Sequence, residues 1–399
     1  MPKNHRGFGT RAVHAGEGVR PSDFTPVASP IHPSVGFVYD SMDELDAIFG
    51  SARPGFVYPR YGSPTVAAFE EAMADLEGGE AAFALASGMA AIHVALLAAG
   101  VRAGTGVVAA LDLYGATTTL LERLMAALGV TVRFVDVTDL AAVEAALSEA
   151  RPAAFLAEII SNPLLKVADV PALTDLAHRY GAPCLIDNTF ATPFLFRPLA
   201  AGADYVIHSA TKYIGGHGDV MAGVIVCSAD NRSKLYETNK LVGSVLGPFE
   251  AWLALRGVKT LPLRMRQQCA SAQAVAEWLA TREDIACVNY PGLPSHPQHE
   301  VARRLFGERG FGGMVSFEIA GADQAKVFRF MEALELCLPA TTLGDVYSLV
   351  LHPATTSHRS LTPEERARVG ISDGLARLSV SIEDVEDIIA DLDAALKRC

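Results

Sequence analysis

The chain has 399 residues, half of them hydrophobic and a fifth charged, a globular composition that excludes disordered, collagen-like and small disulfide-bonded chains. Its length exceeds one typical domain of about 100–200 residues, so two domains are expected. With 45 acidic against 33 basic residues, the formal charge of −12 repels a phosphodiester backbone and speaks against nucleic acid, though not against a small anion in a local basic pocket. The first 60 residues are rich in Pro, Gly and turn residues and read as an arm that needs other surfaces to pack on. Residues 65–78 repeat apolar positions at helical spacing. The uncharged stretch Ala81 to Val101 is near the about 20 residues that span a bilayer. Its alanines, Ser87-Gly88 and His93 make it instead a buried strand over 81–85, a turn and a buried helix from Met89. Strands over 106–110, 130–135, 153–159, 183–186, 205–208 and 220–227 then follow. Helices over 117–128, 140–150 and 170–180 alternate with the earlier of them.

Near-continuous apolar strands alternating with helices predict an α/β fold, a mostly parallel sheet covered by helices on both faces, with ligands bound beyond the carboxyl ends of the strands. Amphipathic segments over 263–281 and 385–397, with antiparallel strands over 313–319 and 375–380, predict a smaller α+β domain. The expected division is an arm over 1–60, a large domain over 61–258 and a small domain over 259–399. Cysteines at 184, 227, 269, 287, 337 and 399 form no CxxC pair, so neither zinc nor a disulfide framework is expected. With no apolar segment after Met1-Pro2-Lys3-Asn4-His5-Arg6, a cytoplasmic location follows as an expectation, and the sequon Asn231-Arg232-Ser233 is a chance match.

No GxGxxG, P-loop, GxSxG or HExxH pattern occurs. Asp187 follows one apolar strand, and Lys212, flanked by Ser209 and Thr211, follows the next, 25 residues later. Both would face one crevice. That pairing suits pyridoxal phosphate, whose aldehyde condenses with a lysine amine and whose ring nitrogen pairs with a carboxylate. Ser87-Gly88-Met89, at a strand-to-helix turn, would offer backbone N–H groups to the phosphate, and Tyr114 a ring to stack on the pyridine. Taken singly, such residues are usually caps, turn residues, surface lysines or amphipathic core tyrosines; their joint spacing carries the reading. His296 and His299 suggest a metal less than an exposed loop, given Pro297 between them.

Ser209-Ala210-Thr211-Lys212-Tyr213 with Gly215-Gly216-His217 resembles the lysine signature of the Cys/Met-metabolism family of pyridoxal-phosphate enzymes, which includes cystathionine γ-lyase, cystathionine γ-synthase, methionine γ-lyase and O-acylhomoserine sulfhydrylase. The resemblance extends over Tyr58-Pro59-Arg60-Tyr61-Gly62-Ser63-Pro64-Thr65, Asp187-Asn188-Thr189-Phe190-Ala191-Thr192-Pro193, residues 255–261 and 312–317, and Arg377-Leu378-Ser379-Val380-Ser381-Ile382-Glu383-Asp384. It implies a fold type I transferase architecture and a homotetramer of two active dimers. It also implies Lys212 carrying the cofactor, Asp187 on the ring nitrogen, and Gly88, Met89, Ser209 and Thr211 on the phosphate, with Ser87 and Thr189 beside them. Tyr58 and Arg60 would reach the phosphate of a neighbouring subunit. Tyr114 would stack on the ring and exchange protons, Asn162 would sit near the phenolic oxygen, and Arg377 would clamp the substrate α-carboxylate.

Two departures bear on substrate. Ala116 stands where methionine γ-lyases carry cysteine, which argues against methionine, although residues 361–367 resemble those enzymes. The family's Ser-Leu-Gly-Gly-x-Glu-Ser-Leu appears as Thr342-Leu343-Gly344-Asp345-Val346-Tyr347-Ser348-Leu349, with Tyr347 in place of a glutamate at the substrate entrance. Thr342, Tyr347, Ala116 and Asn162 are therefore the expected substrate determinants beside Arg377. The leading expectation is γ-elimination of the cystathionine γ-lyase type. The alternatives are γ-replacement on an O-acylhomoserine, elimination on an unusual γ-substituted amino acid, and a cofactor-binding but idle scaffold, which intact Lys212, Asp187, Tyr114 and Arg377 oppose.

Overall fold

A computed structural model describes residues 7–16, 26–50, 52–359 and 361–399. The expected arm falls in part on residues 1–6, 17–25 and 51, outside the described residues. Seven strands form the main sheet: β1 (Ala81–Leu85), β2 (Gly106–Ala110), β3 (Thr131–Val135), β4 (Ala154–Glu158), β5 (Cys184–Asp187), β6 (Tyr205–Ser209) and β7 (Gly223–Cys227), in the order β1-β7-β6-β5-β4-β2-β3. From β6 to β3 the pairing is parallel; β7 runs antiparallel to both β6 and β1. Two reversals restore the direction of β1. The carboxyl ends of β1, β2, β4, β5 and β6 therefore open on one edge, together with the amino end of β7.

Side chains alternate across this sheet as its pleat requires. Ala82 and Ala84 of β1, with Val224 and Val226 of β7, face a cluster built with the helices Pro64–Glu77 and Pro248–Ala280. Phe83 and Leu85 join the opposite cluster with the helix Gly88–Ala98. Residues 81–101 are thus a strand, a turn and a helix; among the described residues no helix is long and apolar enough to cross a membrane.

The second sheet contains β8 (Ile285–Asn289), β9 (Met314–Ile319), β10 (Leu338–Pro339), β11 (Leu349–Leu351) and β12 (Leu375–Ser379), in the order β10-β11-β12-β9-β8. Its core also takes residues from the helices Gln324–Glu332 and Val385–Leu396. No loop separates the two sheets near residue 258, which lies inside the helix Pro248–Ala280. Ala251 to Val258 of that helix pack under the large sheet and Ala272 to Leu279 under the small one. Gly257 and Pro262 sit within it. Gly257 is a close approach: a β-carbon there would meet the Gly215 carbonyl oxygen at 2.3 Å. Arg264, two turns on, donates to the carbonyls of Gly257 at 2.8 Å, Tyr213 at 2.6 Å and Ile214 at 3.2 Å.

Two local expectations are corrected. The helix expected over 117–128 starts earlier, at Gly115, and widens into a π-type segment over Leu120–Met125. His296 is 5% exposed and His299 opens the helix His299–Phe306, so the segment is a packed turn because burial of the imidazole outweighs its polarity. Among the described residues no His, Cys, Asp and Glu group could hold a metal.

Candidate active site

The site grows from the shared edge of strand ends. After β1, the Ser87 hydroxyl caps the helix Gly88–Ala98 by accepting from Ala90 N at 3.1 Å, and its carbonyl takes Ala91 N at 3.0 Å. The N–H groups of Gly88 and Met89 are left without partners within the helix, at its positive end. Glycine is needed on both sides of this turn. A β-carbon on Gly88 would lie 2.8 Å from Ser209 Cβ, and one on Gly223 would lie 2.2 Å from the Ser87 carbonyl oxygen.

At the end of β5, Asp187 Oδ1 accepts from Thr189 N at 2.9 Å, and Thr189 Oγ1 accepts from Ser209 N at 2.9 Å. One hydroxyl thus ties the β5 and β6 ends together. Thr211 is pinned in turn by its hydroxyl, which accepts from Ala222 N at 3.0 Å. Glu158 at the end of β4 stands in register with Asp187 and accepts from Tyr114 N at 2.5 Å. Burial holds both carboxyls above their ordinary range. For Glu158 the Asp187 and Asp112 charges add to that rise, and for Asp187 the Thr189 hydrogen bonds and His208 oppose it. A cationic group beside Asp187 would relieve this strain.

Lys212 Nζ donates to Thr342 Oγ1 at 2.9 Å. Burial, and then the Arg377 charge, push the Lys212 ammonium below its usual range, while Asp345 opposes them. Arg377, on β12 of the other sheet and 3% exposed, donates Nη1 to Asn162 Oδ1 at 2.8 Å; its Nε has no hydrogen-bond partner among the described residues. Burial lowers its guanidinium to about 10, so it stays charged at neutral pH. These groups meet around one cavity of about 530 Å³, a size that suits a cofactor and a small substrate.

Ser87, Gly88, Met89, Tyr114, Asn162, Asp187, Thr189, Ser209, Thr211, Lys212 and Arg377 all line that cavity, and Thr342 reaches it through Lys212. Four expected residues stand apart. Tyr347 is 54% exposed and Ala116 half-buried, and neither is among the walls, because the Tyr347 side chain turns outward and Gly115 rather than Ala116 abuts the Ser357 carbonyl. Tyr58 and Arg60 lie on another face, where Arg60 Nη1 donates to the Lys240 carbonyl at 2.7 Å and the guanidinium stacks on Tyr61. Sequence reasoning missed Glu158, whose lone carboxylate in an apolar strand was a usable signal. It also missed Met221 and Thr355 to Ser357, which carry none.

A family model described as Cys/Met metabolism PLP-dependent enzyme matches residues 9–397. The chain is 43% identical to an L-methionine γ-lyase of Pseudomonas putida over 98% of its own length and 97% of that protein's. It is also 43% identical to an O-succinylhomoserine sulfhydrylase of Pseudomonas aeruginosa, over 96% and 94%. A crystal structure of cystathionine γ-synthase from Xanthomonas oryzae pv. oryzae in complex with aminoacrylate and cysteine superimposes with a TM-score of 0.92 at 38% identity, covering 98% of each chain. With the fold, the length of the match and the identities in agreement, the chain belongs to the PLP-dependent enzymes of Cys/Met metabolism.

Proposed function

We propose that the chain catalyses γ-elimination of the cystathionine γ-lyase type, converting a γ-substituted α-amino acid and water into a 2-oxo acid, ammonia and the released γ-substituent, a thiol or other leaving group. The observation that carries this reading is the meeting, on one cavity, of a lysine with a depressed pKa, a strand-end aspartate, a helix N-terminus and a guanidinium with an unpartnered Nε. The donor set fits pyridoxal phosphate. The Gly88 and Met89 N–H groups, with the Ser209 and Thr211 hydroxyls, would hold the phosphate. Asp187, oriented by Thr189, would hold the ring nitrogen, Tyr114 would lie over the ring, and Asn162 would stand by the phenolic oxygen. When bound, the cofactor supplies an aldehyde that condenses with amines and a ring that takes up negative charge from the α-carbon.

The remaining work falls to side chains. Arg377 orients the substrate by its α-carboxylate. Lys212 Nζ, its basic form favoured by burial, takes the proton from Cα, gives it up again, and is then free to take one from Cβ. The Tyr114 phenol returns one to the departing γ-heteroatom. Among the described cavity residues the cations are Lys212 and Arg377, so a phosphate dianion at the helix N-terminus has no cation of its own. Arg60 and Tyr58 of a second copy would supply it, which supports a homotetramer of two dimers with shared sites. Six unpaired cysteines favour a cytoplasmic setting.

The second reading is γ-replacement on an O-acylhomoserine. It draws on the uncharged walls Met221, Thr341, Leu351, Thr355, Thr356 and Ser357, which offer no carboxylate to a distal ammonium. Incubating the purified enzyme with cystathionine, O-acetylhomoserine, O-succinylhomoserine and methionine, and scoring 2-oxobutanoate with and without an added thiol, separates the two. Release of 2-oxobutanoate from cystathionine without thiol supports elimination. Turnover only of the acyl esters, and only with thiol, overturns it.

A further inference from the structure

One buried carboxylate near Lys212 has no part in the roles above. Thr342, which receives Lys212 Nζ, opens the turn Thr342-Leu343-Gly344-Asp345. Gly344 has φ 77° and presses so closely on the lysine's own loop that a β-carbon there would stand 2.7 Å from Tyr213 N. Asp345 follows, 3% exposed. Its backbone carbonyl accepts from Gln268 Nε2 at 3.1 Å and from the Ser381 hydroxyl, which fixes the turn. Its side chain points back to the loop after Lys212. Oδ2 lies 3.1 Å from where a β-carbon on Gly218 would sit, and Oδ1 is buried with no hydrogen-bond partner among the described residues.

We propose that Asp345 is the buried counter-charge of Lys212, a positioning residue that favours the protonated form of the lysine nitrogen. Burial pushes the Asp345 carboxyl up, and the Lys212 charge, the Gly218 N–H and the Arg264 charge hold it down, support that a buried carboxylate needs to stay ionised. Arg264 already donates to the Tyr213, Ile214 and Gly257 carbonyls. The charged and titratable groups around Lys212 are Asp187 and Glu158 from the strand ends, Tyr114 from the helix start, Tyr213 beside it, Arg377 from β12 and Asp345 from the turn; Asp345 also faces Asp219. Burial and Arg377 both drive the proton off Lys212, and Asp345 opposes them. A lysine that must take protons and give one back needs such a counterweight.

The inference rests on Lys212 holding the cofactor, and the test separates the two. In the holoenzyme, the visible absorbance of the lysine-bound cofactor is followed against pH for wild type, Asp345→Asn, Asp345→Gly and Asp345→Glu, with melting temperatures in parallel. Loss of a nearby anion lowers the midpoint in the Asn and Gly variants by about half a unit to one unit, and kcat falls while KM holds. Asp345→Glu keeps the charge and stays near the wild-type midpoint. Either neutral variant suffices should the other fail to fold. A midpoint unmoved in a folded neutral variant, or moved as far by Asp345→Glu, overturns the counter-charge. Borohydride reduction and peptide mapping of the same samples test the underlying assignment: a pyridoxyl tag away from Lys212 overturns that assignment instead.

Discussion

Replacing Arg377 by lysine isolates what the guanidinium does. The position itself is secure, since Arg377 lies in β12 between Leu351 of β11 and Ser316 of β9. The side chain is 3% exposed and bonded to Asn162 Oδ1 at 2.8 Å, with Nε unpartnered. A guanidinium can give two parallel charge-assisted bonds to a carboxylate, whereas an ammonium on a shorter stem gives one. Losing one such bond costs about 1.5–3 kcal/mol, which is roughly a ten- to 150-fold drop in kcat/KM. The assay is steady-state turnover of the best substrate in the screen, on protein whose cofactor absorbance shows full loading. Most of the loss is expected in KM, because the carboxylate is bound before and during the chemistry alike. A fully loaded Arg377→Lys enzyme within twofold of wild type would place the carboxylate clamp elsewhere.

If the phosphate site is completed by a second copy, Arg60→Ala weakens cofactor retention, and mixing Arg60→Ala with Lys212→Ala subunits restores part of the activity; subunits that exchange without recovery refute sharing. Tyr347→Glu should raise kcat/KM for cystathionine relative to O-acetylhomoserine, by up to about tenfold for a contact of ~1.4 kcal/mol; an unchanged competition ratio means that Tyr347 does not face the substrate's distal end. Burial holds the His296 and His358 imidazoles down at about 4, so the stability they contribute is whole above their ordinary pKa near 6.5 and is lost as pH falls toward about 4. Urea midpoints between pH 7 and pH 4.5 should therefore fall less steeply in a His296→Gln, His358→Gln double variant, and identical slopes would refute this origin.

The cofactor side of the site was legible because strand ends are periodic features. A run such as Cys184-Leu185-Ile186 places Asp187 at the sheet edge whatever else the chain does, and the next strand places Lys212 beside it. Two kinds of feature were not. Residues 248–262 carry Gly257 and Pro262, which oppose helix by local preference. The helix persists there because the glycine lets it touch the Gly215 carbonyl and because Arg264 satisfies the neighbouring carbonyls. Tertiary packing decided that segment. The other kind is distance along the chain: Asn162, Thr342 and Arg377 were reached only through the family resemblance and Ser357 not at all, because they meet only when the second sheet docks against the first and no local pattern records that docking. Glu158 falls between the two, visible as a charge in an apolar strand yet without meaning until β4 is set beside β5.

The same division bears on how this scaffold accommodates different amino acids. The groups suited to the cofactor are held in register by the sheet: Gly223 pairs with both Leu85 and Ser209, and Asp187 with Glu158. Moving any one of them breaks ladder hydrogen bonds on a buried sheet, so their geometry is expensive to alter. Met221, Thr341 and Thr355 to Ser357 line the cavity from connections outside the strands, while Ala116 and Tyr347 are not among its walls. Substitutions there change the space and charge offered to a γ-substituent without disturbing the sheet. Asp345, buried against the lysine loop, is not of this kind. Its proposed role belongs with the proton chemistry common to every leaving group.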